Sequence, residues 1–254
     1  MMLSDNRLMD KTDVQEALTI LSDATRFPFI PRSLPKYVEA CILNGCSNRL
    51  TKAVLGKRLK IFENINRVFE LACQATALDP DDLLKRTDFR PSDISPTRLD
   101  SAFAEIRTVI FLQKEGFRDI TVLGAGNERR ADIIGTRDGR RFAIEVANSI
   151  FDANKRVEPS QLKDWLIGRM SADNKSEQLQ KTAEVVDTNE RVIVGVVDTF
   201  LAVVFNTHND YCEAAKLAWD ELGQGRSLRV AFVTGREAVG YGPDDCVFPP
   251  WPGE

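Results

Sequence analysis

The sequence holds a single histidine, His208, in 254 residues. That scarcity excludes histidine-rich zinc sites, the zinc-binding H-E-x-x-H helix and any two-histidine mechanism. A C-x-x-C pair is also missing: Cys41, Cys46, Cys73, Cys212 and Cys246 are odd in number and scattered. Such a set suits reduced thiols with structural roles better than a disulfide framework. No run reaches the roughly 18 apolar residues that a membrane-crossing helix needs, and MMLSDNRLMDK at the N-terminus has no apolar signal-peptide core. A cytoplasmic protein with no membrane partner is expected. Positive charge is not in excess either, since 34 Lys and Arg stand against 38 Asp and Glu for a net charge of -4. Any surface for nucleic acid must therefore be a local basic patch. The 43% hydrophobic and 28% charged fractions are those of an ordinary globular chain. At roughly 100–200 residues per domain, the length accommodates one large domain or two small ones.

What is present divides near residue 95. Residues 1–94 carry apolar positions at three- and four-residue spacing in DKTDVQEALTILSDA and TKAVLGKRLKIFENINRVFELACQATAL, interrupted by the proline-rich RFPFIPRSLPKY. This reads as a helical N-terminal region. Ser95-Pro96 is a helix start, and the helix it opens presents Leu99, Phe103, Ile106 and Ile110 on one face, with Glu105 on the flank, before Gly116 closes it. Beyond Gly116 the period changes to two, giving strands at 119–123, 131–136 and 140–148. A short helix at 160–170, a second within 172–187 and a buried strand at 191–197 follow. A helix from about Asn209 to Leu222 and a strand at 227–234 extend the layer, and FPPWPGE is too rich in proline to continue regular structure. The expected fold class is α/β, with a mixed central sheet in residues 95–254 behind the helical region 1–94.

Between the second and third strands stands Asp138-Gly139, a dipeptide typical of two-residue hairpin turns. Counting outwards from that turn sets Asp132 opposite Glu145. Facing residues of an antiparallel pair have Cβ atoms about 4.5–5.5 Å apart, so two carboxylates share one small space and repel. Alternation places Phe142, Ile144 and Val146 on one face of the third strand, and Ala143, Glu145 and Ala147 on the other. The small residues beside Glu145 leave room for a ligand. A divalent cation turns the repulsion into a binding site, and Mg²⁺ typically takes one or two carboxylates plus water and substrate phosphate.

The stretch GNERRADIIGTRDGRRFAIEVAN, within an α-β-β-β-α-β order spanning roughly residues 96–197, resembles the core of the restriction-endonuclease-like PD-(D/E)XK nuclease superfamily. The resemblance implies a metal-dependent nuclease that hydrolyses DNA or RNA phosphodiester bonds, with DNA ahead of RNA as partner. It implies that Asp132 and Glu145 hold Mg²⁺ or Mn²⁺, and that Glu105 on the first helix joins them in catalysis. Two positions depart from the family pattern. Ala131 stands for the motif proline, and Glu145-Val146-Ala147 stands where the family has E-x-K, so the lysine is missing. Some members supply that cation from the following helix. Lys175, with Gln178 on the same helix side, is positioned in sequence to do so; Lys181 and Arg130 are the other options. A relative that kept the fold and lost catalysis, acting only as a nucleic-acid-binding or protein-interaction module, is the alternative. A further rival is an interaction protein whose acids merely solvate a sheet.

Basic residues free of neighbouring acids gather in NRLTKAVLGKRLK, where Arg49, Lys52, Lys57, Arg58 and Lys60 could neutralise phosphates. Arg129, Arg130, Arg137, Arg140 and Arg141 flank the hairpin and suit phosphate contact or protection of strand edges. Trp165, Trp219 and Trp251 are expected to pack rather than to stack on bases. Gly124 and Gly126 only superficially resemble a phosphate loop, because no helix follows them directly. Two cuts in a duplex need two sites, so a homodimer is also an expectation.

Overall fold

The computed structural model describes residues 11–46, 49–124, 130–148, 156–172, 174–197, 205–223, 227–234, 242 and 244–252. Arg129 and Gly126 lie outside the described residues, as does the side chain of Arg49.

The N-terminal region is helical as its periodicity predicts. Its elements are α1 (Lys11–Leu21), α2 (Ser33–Leu43), α3 (Arg49–Leu55), α4 (Leu59–Thr76) and α5 (Pro80–Arg86). Asp79 caps α5, accepting from the backbone N–H groups of Asp81 and Asp82, with Pro80 at the first helical position. Then come α6 (Pro96–Lys114), β1 (Arg118–Val122), β2 (Ile133–Arg137), β3 (Arg140–Asn148), α7 (Pro159–Ala172), α8 (Lys175–Val185), β4 (Glu190–Val196), α9 (His208–Gly223), β5 (Leu228–Val233) and β6 (Cys246–Phe248). Ser95 occupies the cap position of α6, but its hydroxyl meets the Thr97 hydroxyl at 2.7 Å rather than a backbone donor. Gly116, at φ +83°, closes that helix.

The six strands run in the order β1-β2-β3-β4-β5-β6. β1, β2 and β3 are antiparallel neighbours, β3, β4 and β5 are parallel, and β6 returns antiparallel to β5. The sheet is therefore mixed, and the α/β class expected from the sequence is the class observed. β6 is a departure from expectation. Phe248 pairs with Val230 before the prolines begin, so regular structure reaches one residue into FPPWPGE and stops at Pro249, which has no N–H to donate. Trp251 beyond it is buried.

Asp138 and Gly139 both adopt positive φ, +50° and +73°, the conformation of a type I′ turn. The turn sets the register, pairing Arg137 with Arg140 and Ile133 with Ile144. Continued by one residue, that register brings Asp132 opposite Glu145.

The two faces of the sheet differ in composition. Phe142, Ile144 and Val146 join α6 and the N-terminal helices in one continuous core. Ala143 and Ala147 point the other way, into a second core with α7, α8 and α9. All three tryptophans pack: Trp251 belongs to the first core, and Trp165 and Trp219 lie against the second. Among the described residues no helix is long and apolar enough to cross a membrane.

Candidate active site

Asp132 immediately precedes β2. Its backbone carbonyl accepts from the Leu123 N–H at 2.9 Å, which prolongs the β1–β2 pairing past Ile133. Its side chain turns to β3, where Oδ2 accepts the Val146 N–H at 2.7 Å. One residue earlier, the buried Ala131 N–H donates to the Thr182 hydroxyl at 2.7 Å, tying the entry of β2 to α8. Both ends of the acidic position are thus anchored by backbone hydrogen bonds.

Glu145 is fully buried. A solvated sheet face would leave such a residue in water, so Glu145 is not a solvated strand position, while Asp132 is half-buried. Oε1 of Glu145 accepts a short hydrogen bond from the Lys175 ammonium. Oε2 is buried with no hydrogen-bond partner, a costly condition for a carboxylate oxygen. Burial first, and then the charge of Asp132, push the Glu145 carboxyl up to about 9, with Lys175 acting in the opposite sense.

Lys175, the first residue of α8, reaches both acids. Its Nζ donates to Glu145 Oε1 and to the Val146 carbonyl at 3.0 Å, and lies 3.7 Å from Asp132 Oδ2. A cation on the first turn of a helix opposes the helix dipole, so the acids, not the helix, account for its position. Burial alone would lower its pKa, yet the charges of Asp132 and Glu145 outweigh that and raise it. The ammonium stays charged.

Glu105 is half-buried on α6. Desolvation first, then the charge of Asp132, hold its carboxyl well above the usual range, with Glu145 adding to that and Lys175 opposing it. It therefore shares the electrostatic field of the site. Among the described residues, however, no three acidic, histidine or cysteine donors gather into a metal-sized group. Asp132 and Glu145 are the two acids within reach of Lys175, and Glu105 acts on them through charge.

The other proposed cations are placed elsewhere. Lys181 pairs with Glu177 on its own helix at 2.7 Å, both side chains exposed. Arg130 is exposed ahead of β2, and Gln178 is half-buried on α8. Lys52 and Arg58 are exposed on α3 and just before α4; Lys57 pairs with Glu16 at 2.6 Å and Lys60 with Glu63 at 3.6 Å. This basic group belongs to the helical layer, which packs on the sheet face opposite Glu145. Around the hairpin, Arg140 pairs with Glu190, the Arg141 guanidinium donates to the Val186 carbonyl, and Arg137 lies over the Trp251 ring. These arginines tie together the hairpin end of the sheet's inner strands.

Two contributors were not foreseen. Thr182 orients the start of β2, and the backbone N–H and C=O of Val146 serve Asp132 and Lys175. Thr182 is legible in retrospect as a polar residue two turns after Lys175, beside the apolar Leu179 and Ala183. The Val146 groups carry no sequence signal, because every residue has them.

No family model and no curated protein matches the sequence. Among solved structures, the chain is similar to the restriction endonuclease FokI bound to DNA, at 10% identity and a TM-score of 0.31, covering 70% of this chain and 29% of that one. FokI without DNA gives 13% identity and the same TM-score and coverage. The chain thus spans less than a third of the length of these neighbours.

Proposed function

We propose that this protein is a metal-dependent nuclease that hydrolyses phosphodiester bonds, with DNA as the preferred substrate ahead of RNA. The observation that carries the reading is the convergence of Asp132, Glu145 and Lys175. The lysine absent from β3 is replaced by one from α8 that reaches the same two acids. In the PD-(D/E)XK family, which the sequence resembles, two acids and one lysine are the working set.

Two features suit the acids to Mg²⁺ or Mn²⁺. Oε2 of Glu145 is an unpartnered buried acceptor, and three carboxyls, those of Asp132, Glu145 and Glu105, share one ammonium. A shared proton can relieve that imbalance, and so can a divalent cation. Asp132 and Glu145 would hold the ion. When bound, it supplies a Lewis acid for the phosphoryl oxygen and lowers the pKa of a water. The Val146 N–H keeps Asp132 oriented. Lys175 stands beside the acids with a fixed positive charge, suited to positioning water and to stabilising negative charge that develops on the phosphate. The half-buried Gln178 and the exposed Arg130 are candidates for contact with the nucleic acid. Arg49, Lys52, Lys57 and Arg58, on the layer across the sheet from Glu145, would make a separate phosphate contact, and two cuts in a duplex would call for a homodimer. The unbridged cysteines accord with a cytoplasmic setting.

The test is cleavage of mixed DNA and RNA substrates with Mg²⁺ or Mn²⁺ by the wild type, Asp132→Ala, Glu145→Gln and Lys175→Ala. Metal-dependent cleavage that falls by at least about a hundredfold in each variant is expected. Metal binding without cleavage in the wild type would instead establish the inactive binding relative.

A further inference from the structure

The approach to β2 and the second half of α8 enclose a cavity of about 480 Å³. α8 lies on the sheet face to which Glu145 points, so the cavity and the acids share one side of the sheet. Leu123, Thr182, Val185 and Val186 line it, together with the exposed charged residues Arg130, Lys181 and Glu184. Two of the lining residues also hold the Asp132 position. The Leu123 N–H donates to the Asp132 carbonyl at 2.9 Å, and the Thr182 hydroxyl accepts the Ala131 N–H at 2.7 Å. The cavity wall and the support of the acid are therefore the same groups. Helix geometry sets the separation. Lys175, which reaches both acids, and Thr182 are seven residues apart on α8, about 10 Å at a rise of about 1.5 Å per residue. Phosphates of one DNA strand are spaced about 3.4 Å along the axis, so the cavity lies within about three nucleotides of a bond held at the acids.

The lining has the chemistry of a nucleotide site. Leu123, Val185 and Val186 offer aliphatic surface, and Val185 is 74% exposed, an apolar side chain left in water at the cavity. Around that surface two cations stand against one acid. The acid is already engaged, since Glu184 Oε1 accepts from Gln180 Nε2 at 2.8 Å. Lys181 pairs with Glu177 at 2.7 Å, but both side chains are exposed, and such a pair is given up at little cost. A flat, largely apolar body with negative charge beside it fits this lining: a base out of its stack, flanked by phosphates.

We propose that this cavity receives one unstacked nucleobase of the substrate, within three nucleotides of the scissile bond, with Arg130 and Lys181 meeting its flanking phosphates. The proposal rests on the nuclease reading above and adds a subsite to it. Aliphatic walls contact the faces of the ring, which every base has, so the subsite selects strands whose bases can leave the stack rather than one base over another. The base comes from a single strand or by extrusion from a duplex, and the chemistry recognised is the same in both.

The test is a cleavage ladder, with Mg²⁺, on an end-labelled DNA strand of mixed sequence that carries one abasic nucleotide, offered as a single strand and as a duplex. In the wild type, cleavage of bonds within three nucleotides on one side of the abasic position should fall about tenfold relative to bonds elsewhere in the same strand. The effect should be one-sided because the cavity lies to one side of the acids; a strand merely made more flexible would change on both sides. Suppression in both forms of the substrate identifies extrusion from the duplex, and suppression in the single strand alone identifies a base presented unstacked. Val185→Glu and Lys181→Glu, both at exposed positions, should cut the intact strand about tenfold more slowly, with no further loss beside the abasic position. Metal binding at Asp132 and Glu145 should stay unchanged in both variants. A uniform wild-type ladder, two-sided suppression, or one-sided suppression that persists in both variants would overturn the subsite and leave the nuclease reading standing. No metal-dependent cleavage of any strand would overturn both.

Discussion

The two faces of the central strand, β3, are built on different terms. Towards α6, Phe142, Ile144 and Val146 are bulky and apolar, and they join the N-terminal helices in a dense core. Towards α8, Ala143 and Ala147 are small, and Glu145 stands between them. The first face holds the strand in place. The second gives up apolar volume, and in the space left it keeps a buried carboxyl group with one unsatisfied oxygen. A chain selected for stability alone would have filled that face; one that binds a cation has reason to leave it open.

The contrast can be broken from either side. Phe142→Ala removes a ring packed edge-on against Phe117 and Trp251 and should cost about 3–5 kcal/mol in chemical denaturation. The fraction that remains folded should still bind metal. On the other face, Glu145→Gln should change the pH dependence of stability. With its pKa raised from 4.5 to about 9, Glu145 holds a proton in the folded chain that the unfolded chain has already released. Its contribution is therefore full below about pH 4.5 and is lost as pH rises toward 9. The metal-free wild type should lose a few kcal/mol over that window in urea titrations. Glu145→Gln should flatten the curve, and an unchanged slope would remove Glu145 as its source. The smallest effect belongs to Thr182→Val, which leaves the Ala131 N–H buried without its acceptor and should cost about 1–3 kcal/mol.

Much of this contrast was legible before the structure. The Asp138-Gly139 turn and strand alternation were sufficient to place Asp132 opposite Glu145 and to divide bulky from small residues on β3. Both are local rules, and both held because the turn needs positive φ at two residues and only a few residue types supply it. For a cation beside the two acids, the sequence favours Lys175 and leaves Lys181 and Arg130 as other options. Choosing among them requires the angle at which α8 crosses β3, a tertiary quantity. The burial of Glu145 was hidden for the same reason: α7 and α8 cover it, and no property of strand 140–148 announces a roof. β6 escaped notice because a three-residue strand beside prolines has no period to read.

The most direct test of the central claim is calorimetric titration of the metal-free protein with Mg²⁺ and Mn²⁺ at pH 7, in two buffers of different ionisation enthalpy. The wild type should bind one of these ions with release of protons, and the apparent enthalpy should differ between the buffers. Asp132→Ala and Glu145→Gln should weaken binding by at least about tenfold, or 1.4 kcal/mol. Equal affinity in all three proteins, or no binding in the wild type, would contradict a cation site at Asp132 and Glu145.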